Sequence, residues 1–229
     1  MKKVIIIALG GSIIVPFAGR INVGFLKRFR KLILRYLKKD FRFIIIAGGG
    51  KMCRLYQKSV KRIVRLPYED MDWLGIHAAR LNAHLLRTIF RKEAYPMVID
   101  DPHKSIKKNW KLLVAAGWRP GWSTDYMSVL LAKRFKVKEI IDAGNIPFDY
   151  TKDCFKYKDA KVIERISWKN YRKLVGSKWI PGLHAPIDPI AAKLAQKLKI
   201  RALIVKGTEL KNFEKLLSGK KFKGTIIEP

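Results

Sequence analysis

The chain has 229 residues, with 49 Lys+Arg against 18 Asp+Glu, so its formal net charge is +31. Hydrophobic residues make up 48% of it, which excludes a disordered basic tail as the source of that charge and suits a globular chain with a sizeable core. Two cysteines, Cys53 and Cys154, exclude a disulfide scaffold, and apolar runs of about seven residues exclude a membrane-spanning helix.

Lys3 to Leu9 is rich in β-branched residues and stops at Gly10-Gly11-Ser12, the pattern of a buried strand. The run is too short for a signal peptide, so the protein is expected to be soluble and cytoplasmic. Gly24 to Lys39 is an amphipathic helix, with Phe25, Phe29, Leu32, Ile33, Tyr36 and Leu37 on one face and seven cations on the rest. Arg42 to Ala47 is a second strand ending at Gly48-Gly49-Gly50, and a helix follows from Lys51 to about Arg65. Met71 to Arg91 is a long helix. Tyr95 to Ile99 and Leu112 to Ala116 are strands, Thr124 to Phe135 a helix and Val137 to Ala143 a strand. A Pro/Asp/Lys/Tyr-rich loop covers Asn145 to Lys158. Helices at Ser167 to Val175, Pro189 to Leu198 and Leu210 to Leu217 and strands at Arg201 to Val205 and Gly224 to Ile227 complete the chain. Strands alternating with helices predict one α/β domain over residues 1–229, its sheet mainly parallel and covered on both faces.

Two glycine loops follow strands directly. Glycines there let backbone N–H groups approach an anion, and a helix N-terminus adds partial positive charge. Lys51 and Arg54 bring full charges to the second loop. The alternative is that the glycines only make tight turns; two such loops, one with Lys and Arg, favour phosphate binding. No Walker A string and no G-x-G-x-x-G occurs. A third segment, Gly117 to Asp125, joins a strand to a helix. Ser123 or Thr124 can cap that helix; alternatively its hydroxyls and N–H groups hold a second phosphate, with Asp125 orienting a lysine or a magnesium-bound water.

Six strings occur in order: ALGGSIIVP (Ala8 to Pro16), AGGGKMCRLY (Ala47 to Tyr56), DWLGIHAARLNAHLL (Asp72 to Leu86), PGWSTDYMSVLLA (Pro120 to Ala132), APIDPIAAKLA (Ala185 to Ala195) and GTIIEP (Gly224 to Pro229). Together the chain resembles the amino acid kinase superfamily and, within it, the archaeal-type UMP kinases. The resemblance implies a three-layer αβα sandwich with ATP over the C-terminal half and UMP over the N-terminal half. By position it puts Ala8, Leu9, Gly10, Gly11, Ser12, Gly50 and Arg54 near the ATP phosphates, and Gly144, Asn145, Tyr150 and Asp153 along the nucleoside of ATP. It puts Gly49 and Asp72 against UMP, and wraps Trp118, Arg119, Pro120, Gly121, Trp122, Ser123 and Thr124 around the UMP phosphate. Lys193 falls where several superfamily members place a lysine against the transferring phosphoryl group. Lys51, Lys193 and Asp125 are the expected catalytic residues, Mg²⁺ arrives bound to ATP, and the assembly is a hexamer built from dimers.

The chain departs from the pattern in places. Many superfamily members carry a lysine where Ala8 stands, although archaeal-type UMP kinases also lack it. The ATP-side loop, usually close to N-[VI]-D-G-V-Y-x-x-D-P, has Pro147-Phe148 for the D-G pair and Cys154 for the last proline. Trp118 and Trp122 are larger than is common in the phosphate loop, and their rings are suited to stacking on a base or narrowing the pocket. His77 and His84 lack the partners of a metal site, and no metal-ligand set is expected. The rival readings are a kinase of another small phosphate, such as isopentenyl phosphate, and a catalytically impaired kinase-fold protein that binds nucleic acid. The charge of +31 makes non-specific nucleic-acid association an expected side effect of either kinase.

Overall fold

The computed structural model describes residues 3–152, 154, 157–178 and 185–229. In chain order, β1 (Lys3–Leu9) leads through the single turn α1 (Gly11–Ile14) to α2 (Val23–Leu37), β2 (Phe41–Ala47), α3 (Gly50–Val60) and α4 (Tyr68–Ile89). Then come β3 (Leu112–Ala115), α5 (Thr124–Arg134), β4 (Glu139–Gly144) and three short strands, β5 (Asp149–Tyr150), β6 (Val162–Ile163) and β7 (Arg165–Ser167). The last elements are α6 (Trp168–Val175), α7 (Pro189–Leu198), β8 (Arg201–Lys206), α8 (Leu210–Leu217) and β9 (Thr225–Glu228).

Seven strands form one sheet in the order β3-β2-β1-β4-β8-β9-β7, all neighbours parallel except β8 and β9. Because successive side chains of a strand point to opposite faces, β1 feeds two cores. Ile5, Ile7 and Leu9 pack with Phe25, Phe29 and Ile33 of α2, Ala83 and Leu86 of α4 and Phe213 of α8. Ile6 faces the other side, with Met127 and Leu131 of α5, Trp168 and Tyr171 of α6 and Ala191 and Ala195 of α7. The expected αβα layering is therefore present. Moving outward from β1, the chain first builds β2 and β3 on one side and later β4 and β8 on the other. In such open sheets the crevice for ligands lies at this reversal, outside the carboxyl ends of the strands. Both glycine loops lie there.

The structure departs from the sequence reading in several elements. Residues 95–99 do not form a strand. Ala94 and Ile99 make only isolated bridges, to Leu112 and Ala115, because the register slips between them: Tyr95 N–H pairs with Leu112 O and Ile99 N–H with Val114 O, four residues here against two of β3. The expected loop after Asn145 contains β5, paired antiparallel with β6. The turn α1 and the strands β6 and β7 are additions, all too short to carry a periodic signal. Helix α3 stops at Val60 rather than near Arg65 and buries none of its side chains.

Candidate functional site

The two glycine loops touch backbone to backbone. Gly10 N–H donates to Ala143 O of β4 and Gly48 N–H to Leu9 O of β1, both at 3.0 Å. A Cβ on Gly11 would sit 2.2 Å from Gly50 N and 2.3 Å from Gly48 O. Gly50 needs its missing side chain twice over: its φ is +67°, and a Cβ there would lie 2.4 Å from Gly11 O. Turn-making thus explains Gly50, while Gly11 is explained by close approach. Asn82, buried on α4, secures the second loop by donating Nδ2 to the carbonyls of Gly48 (2.8 Å) and Gly49 (3.3 Å). No side chain caps α3, so its first-turn N–H groups remain available at the loop.

Two hollows open over these loops. The smaller, about 290 Å³, is lined among others by Gly49, Gln57, Asp72, Ile76, Trp122 and Thr124. The larger, about 800 Å³, is lined by Lys51, Asp142, Gly144, Asn145, Asp149 and Tyr150 with their neighbours. Ser12, Arg54, Asp125 and Ala185 line both, so the hollows meet at one place. Asn145 Nδ2 donates to Ser12 Oγ at 2.7 Å, tying the loop after β4 to the first glycine loop. Of the segment 8–12, Gly11 and Ser12 reach the hollows; Ala8 and Leu9 are buried in β1, and the Gly10 N–H is taken by Ala143.

The loop 117–123 closes the smaller hollow. Asp72 accepts the Gly121 N–H at 2.8 Å, and Gly121 has φ +82°, where glycine is at ease. Trp118, Trp122 and Tyr126 form a stack, with ring centroids 6.3 Å and 4.2 Å apart. The Arg119 guanidinium lies 4.2 Å from the Trp118 ring and 5.7 Å from Trp122. Trp122, Ser123 and Thr124 line the hollow; Trp118, Arg119, Pro120 and Gly121 form the outer arc that carries them. Ser123 caps α5 by accepting Tyr126 N–H, and its own hydroxyl donates to the Asp188 carboxylate. Asp188 in turn caps α7, accepting the N–H groups of Ile190 (2.8 Å) and Ala191 (3.0 Å). The N-termini of α5 and α7 are therefore linked at the junction of the hollows. Buried Tyr171 holds the approach to Asp188, its hydroxyl donating to Ile187 O and accepting Ile187 N–H.

Four carboxyl groups gather here. Burial pushes Asp125 well above the ordinary carboxyl range, with Asp142 and Asp188 adding repulsion. Asp142 is raised to about 8 by burial and by Asp149. Burial raises Asp149 to about 6. Asp188 is also raised by burial, opposed by the hydrogen bonds from Ser123 and the α7 amides. Asp142, at about 8, keeps its proton at neutral pH, which lowers the negative charge that an incoming polyanion meets. Among the described residues no three His, Cys, Asp or Glu side chains are placed to hold a metal ion by themselves. Cys53 lines the smaller hollow, but burial pushes its thiol up, which disfavours the nucleophilic thiolate.

Most of the residues singled out in the sequence thus come together, but Lys193 does not join them. It is exposed on α7, whose neighbouring Ala191, Ala192 and Ala195 occupy the buried face, and it lines neither hollow. Asp153 lies outside the described residues. Sequence reasoning missed Arg80, Asn82, Asp142, Asp149 and Asp188. Two of these carried a local signal: Asp188 precedes Pro189 as a helix cap does, and Asp142 interrupts an apolar strand. Arg80 and Asn82 look like any polar residues of a long helix.

The chain matches the profile of the Amino acid kinase family over residues 3–206. It is similar to the uridylate kinase of Thermococcus sibiricus, 30% identical over 98% of this chain and 99% of that protein. It is similar to the uridylate kinase of Hyperthermus butylicus, 28% identical over 95% of this chain and 98% of that one. Among solved structures it resembles the uridylate kinase of Archaeoglobus fulgidus, with a TM-score of 0.80, 28% identity and coverage of 98% and 99% of the two chains. A UMP kinase of Bacillus anthracis, at 20% identity over 99% and 96% of the two chains, shares the fold with a TM-score of 0.75.

Proposed function

The chain belongs to the amino acid kinase family, and from that premise we propose that it is a UMP kinase, which transfers the γ-phosphoryl group of ATP to UMP and yields ADP and UDP. The observation that carries this reading is the meeting of two hollows at Ser12, Arg54 and Asp125, above two glycine loops. Transfer between two bound phosphates needs two sites that touch at one point.

UMP occupies the smaller hollow, with Gly49, Asp72, Trp122, Ser123 and Thr124 around it. ATP occupies the larger one, its phosphates over Gly11, Ser12 and Gly50 and its nucleoside toward Gly144, Asn145 and Tyr150. An oxygen of the UMP phosphate attacks the γ-phosphorus, and the bond from that phosphorus to the β–γ bridging oxygen breaks. Such a phosphate is already a competent nucleophile, so the protein's task is to align and to neutralise charge. Lys51 and Arg54 supply full positive charges, and the N-termini of α3 and α5 supply oriented N–H groups. Arg54, which lines both hollows, neutralises both substrates at the transfer point. Burial raises the pKa of Asp125 at the same point, which favours its uncharged form and limits repulsion.

The oxygen atoms of Ser12 and Asn145 at the meeting of the hollows would suit Mg²⁺ brought in on ATP. When bound, that ion would neutralise charge on the donor phosphates. The reading takes residues 1–229 as one catalytic domain of a cytoplasmic homo-oligomer, a hexamer by family resemblance. Among the described residues no helix is long and apolar enough to cross a membrane. The exposed Leu55, Tyr56, Ile63 and Val64, on or just after a helix with no buried side chain, favour cover by a second copy.

Purified protein incubated with Mg·ATP and, separately, UMP, CMP, dUMP and isopentenyl phosphate, with ADP release followed at low and moderate salt, tests the reading. UMP is expected to be the best acceptor. No turnover with UMP in either salt would overturn it.

A further inference from the structure

The outer arc beside the acceptor hollow, residues 117–121, is held by hydrogen bonds to one helix. Residues 117–121 run beside α4 in the opposite direction, and three α4 residues spaced by four hold them. Asp72 accepts the Gly121 N–H at 2.8 Å. Ile76 lies under Gly117, where an added Cβ would come within 3.2 Å of Ile76 Cγ1. Arg80 donates Nε to Gly117 O at 3.4 Å and a terminal nitrogen to Trp118 O at 2.9 Å. Residues four apart share a helix face.

Arg80 is placed to act as a fork rather than as a charge for substrate. It lines neither hollow. The nearest carboxylate, Asp100, is 3.8 Å away and is also paired with Lys104. What the fork grips is the backbone of Gly117 and Trp118. The Trp118 ring stacks on Trp122, which lines the acceptor hollow.

We propose that Arg80 is a positioning residue for the acceptor: by fixing the first half of the loop it fixes Trp118, and through that ring the Trp122 wall of the hollow, while Asp72 fixes the far end. The inference rests on the reading of that hollow as the UMP site.

The test is Arg80→Met, which keeps the aliphatic stem and removes the donors, beside Arg80→Lys, which keeps the charge but offers no planar fork. KM for UMP is expected to rise at least tenfold in Arg80→Met, with KM for ATP and kcat within threefold of the parent. Arg80→Lys is expected to fall between the two. Backbone amides of 117–123 should exchange with deuterium faster in Arg80→Met, at a Tm within a few degrees of the parent. An unchanged KM for UMP, an equal rise for ATP, or full restoration by lysine overturns the proposal. Should Arg80→Met fail to fold, Arg80→Lys decides it, since an unaltered KM for UMP there has the same meaning. If the parent protein does not turn over UMP at all, the functional reading has failed instead. The deuterium exchange of 117–123 then still decides whether Arg80 holds the loop.

Discussion

Gly11→Ala is the sharpest perturbation the site offers. Gly11 has no positive φ, so the alanine backbone is unstrained and only contact matters. The new methyl would lie 2.2 Å from Gly50 N and 2.3 Å from Gly48 O, where ordinary contact begins at 3.4 Å. Both obstacles are backbone, so they cannot rotate away. The glycine loops must separate by roughly 1 Å, which overpacking data value at about 1–3 kcal/mol. For a chain of this size that corresponds to a Tm drop of about 2–12 °C. The catalytic cost is larger, because a displacement of about 1 Å in a phosphoryl-transfer site costs on the order of 10²-fold. The assay is kcat with both substrates saturating, together with a thermal melt. Gly19→Ala is the control: at φ +74° with nothing within 4 Å of its Cβ, it should lose only about 1–2 kcal/mol and keep its turnover. A Gly11→Ala enzyme with kcat within threefold of the parent would refute the claim that the two loops must touch for catalysis.

Arg54→Ala should lower kcat/KM by about 10²-fold, the usual loss for a preorganised group at developing charge. Lys193→Ala, removing an exposed lysine that lines neither hollow, should stay within threefold; the reverse ranking in steady-state assays would restore Lys193 as the catalytic cation. Asp142 is raised from 3.8 to about 8 in the folded protein, so the unfolded chain releases its proton first. Its contribution to stability is therefore full below pH 4 and is lost as pH rises toward 8. Melts of ligand-free protein should show Tm falling over that window, and Asp142→Asn should flatten the slope; an identical slope in the variant counts against the assignment. Ser123→Ala removes the α5 cap and the link to Asp188. It should cost about 1 kcal/mol or somewhat more, read as a Tm shift of a few degrees.

The elements that the sequence predicted well are those whose signal is local and long enough to repeat. The apolar runs at 3–9 and 41–47, the two glycine loops and the amphipathic helix α2 all declare themselves within a few residues. The short strands β5, β6 and β7 do not, because two or three residues have no period and their pairing partners are distant. Residues 95–99 show the converse error: an apolar run read as a strand, whose ladder to β3 loses register between Tyr95 and Ile99, which only the partner strand reveals.

By itself, then, the sequence determined the α/β class, the two glycine loops that follow strands and the order of motifs by which the chain resembles the kinases. Among the described residues only Lys51, Arg54 and Lys152 of the 49 Lys and Arg line the hollows, so +31 says little about the chemistry. Only the tertiary structure decided which charges share a site. Lys193 turns outward because alanines claim the inner face of α7. Arg54, also exposed, lines both hollows because α3 begins at a glycine loop that another glycine loop abuts. Asp125, Asp142, Asp149 and Asp188 lie on four different elements or their caps, and only the sheet reversal brings them together. Helix α4 offers the same lesson: its arginine and asparagine are unremarkable in sequence and become the supports of two loops once residues some 35 positions away fold against them. Long-range contacts of this kind leave no periodic trace in a chain, because each depends on the fold that places its partner.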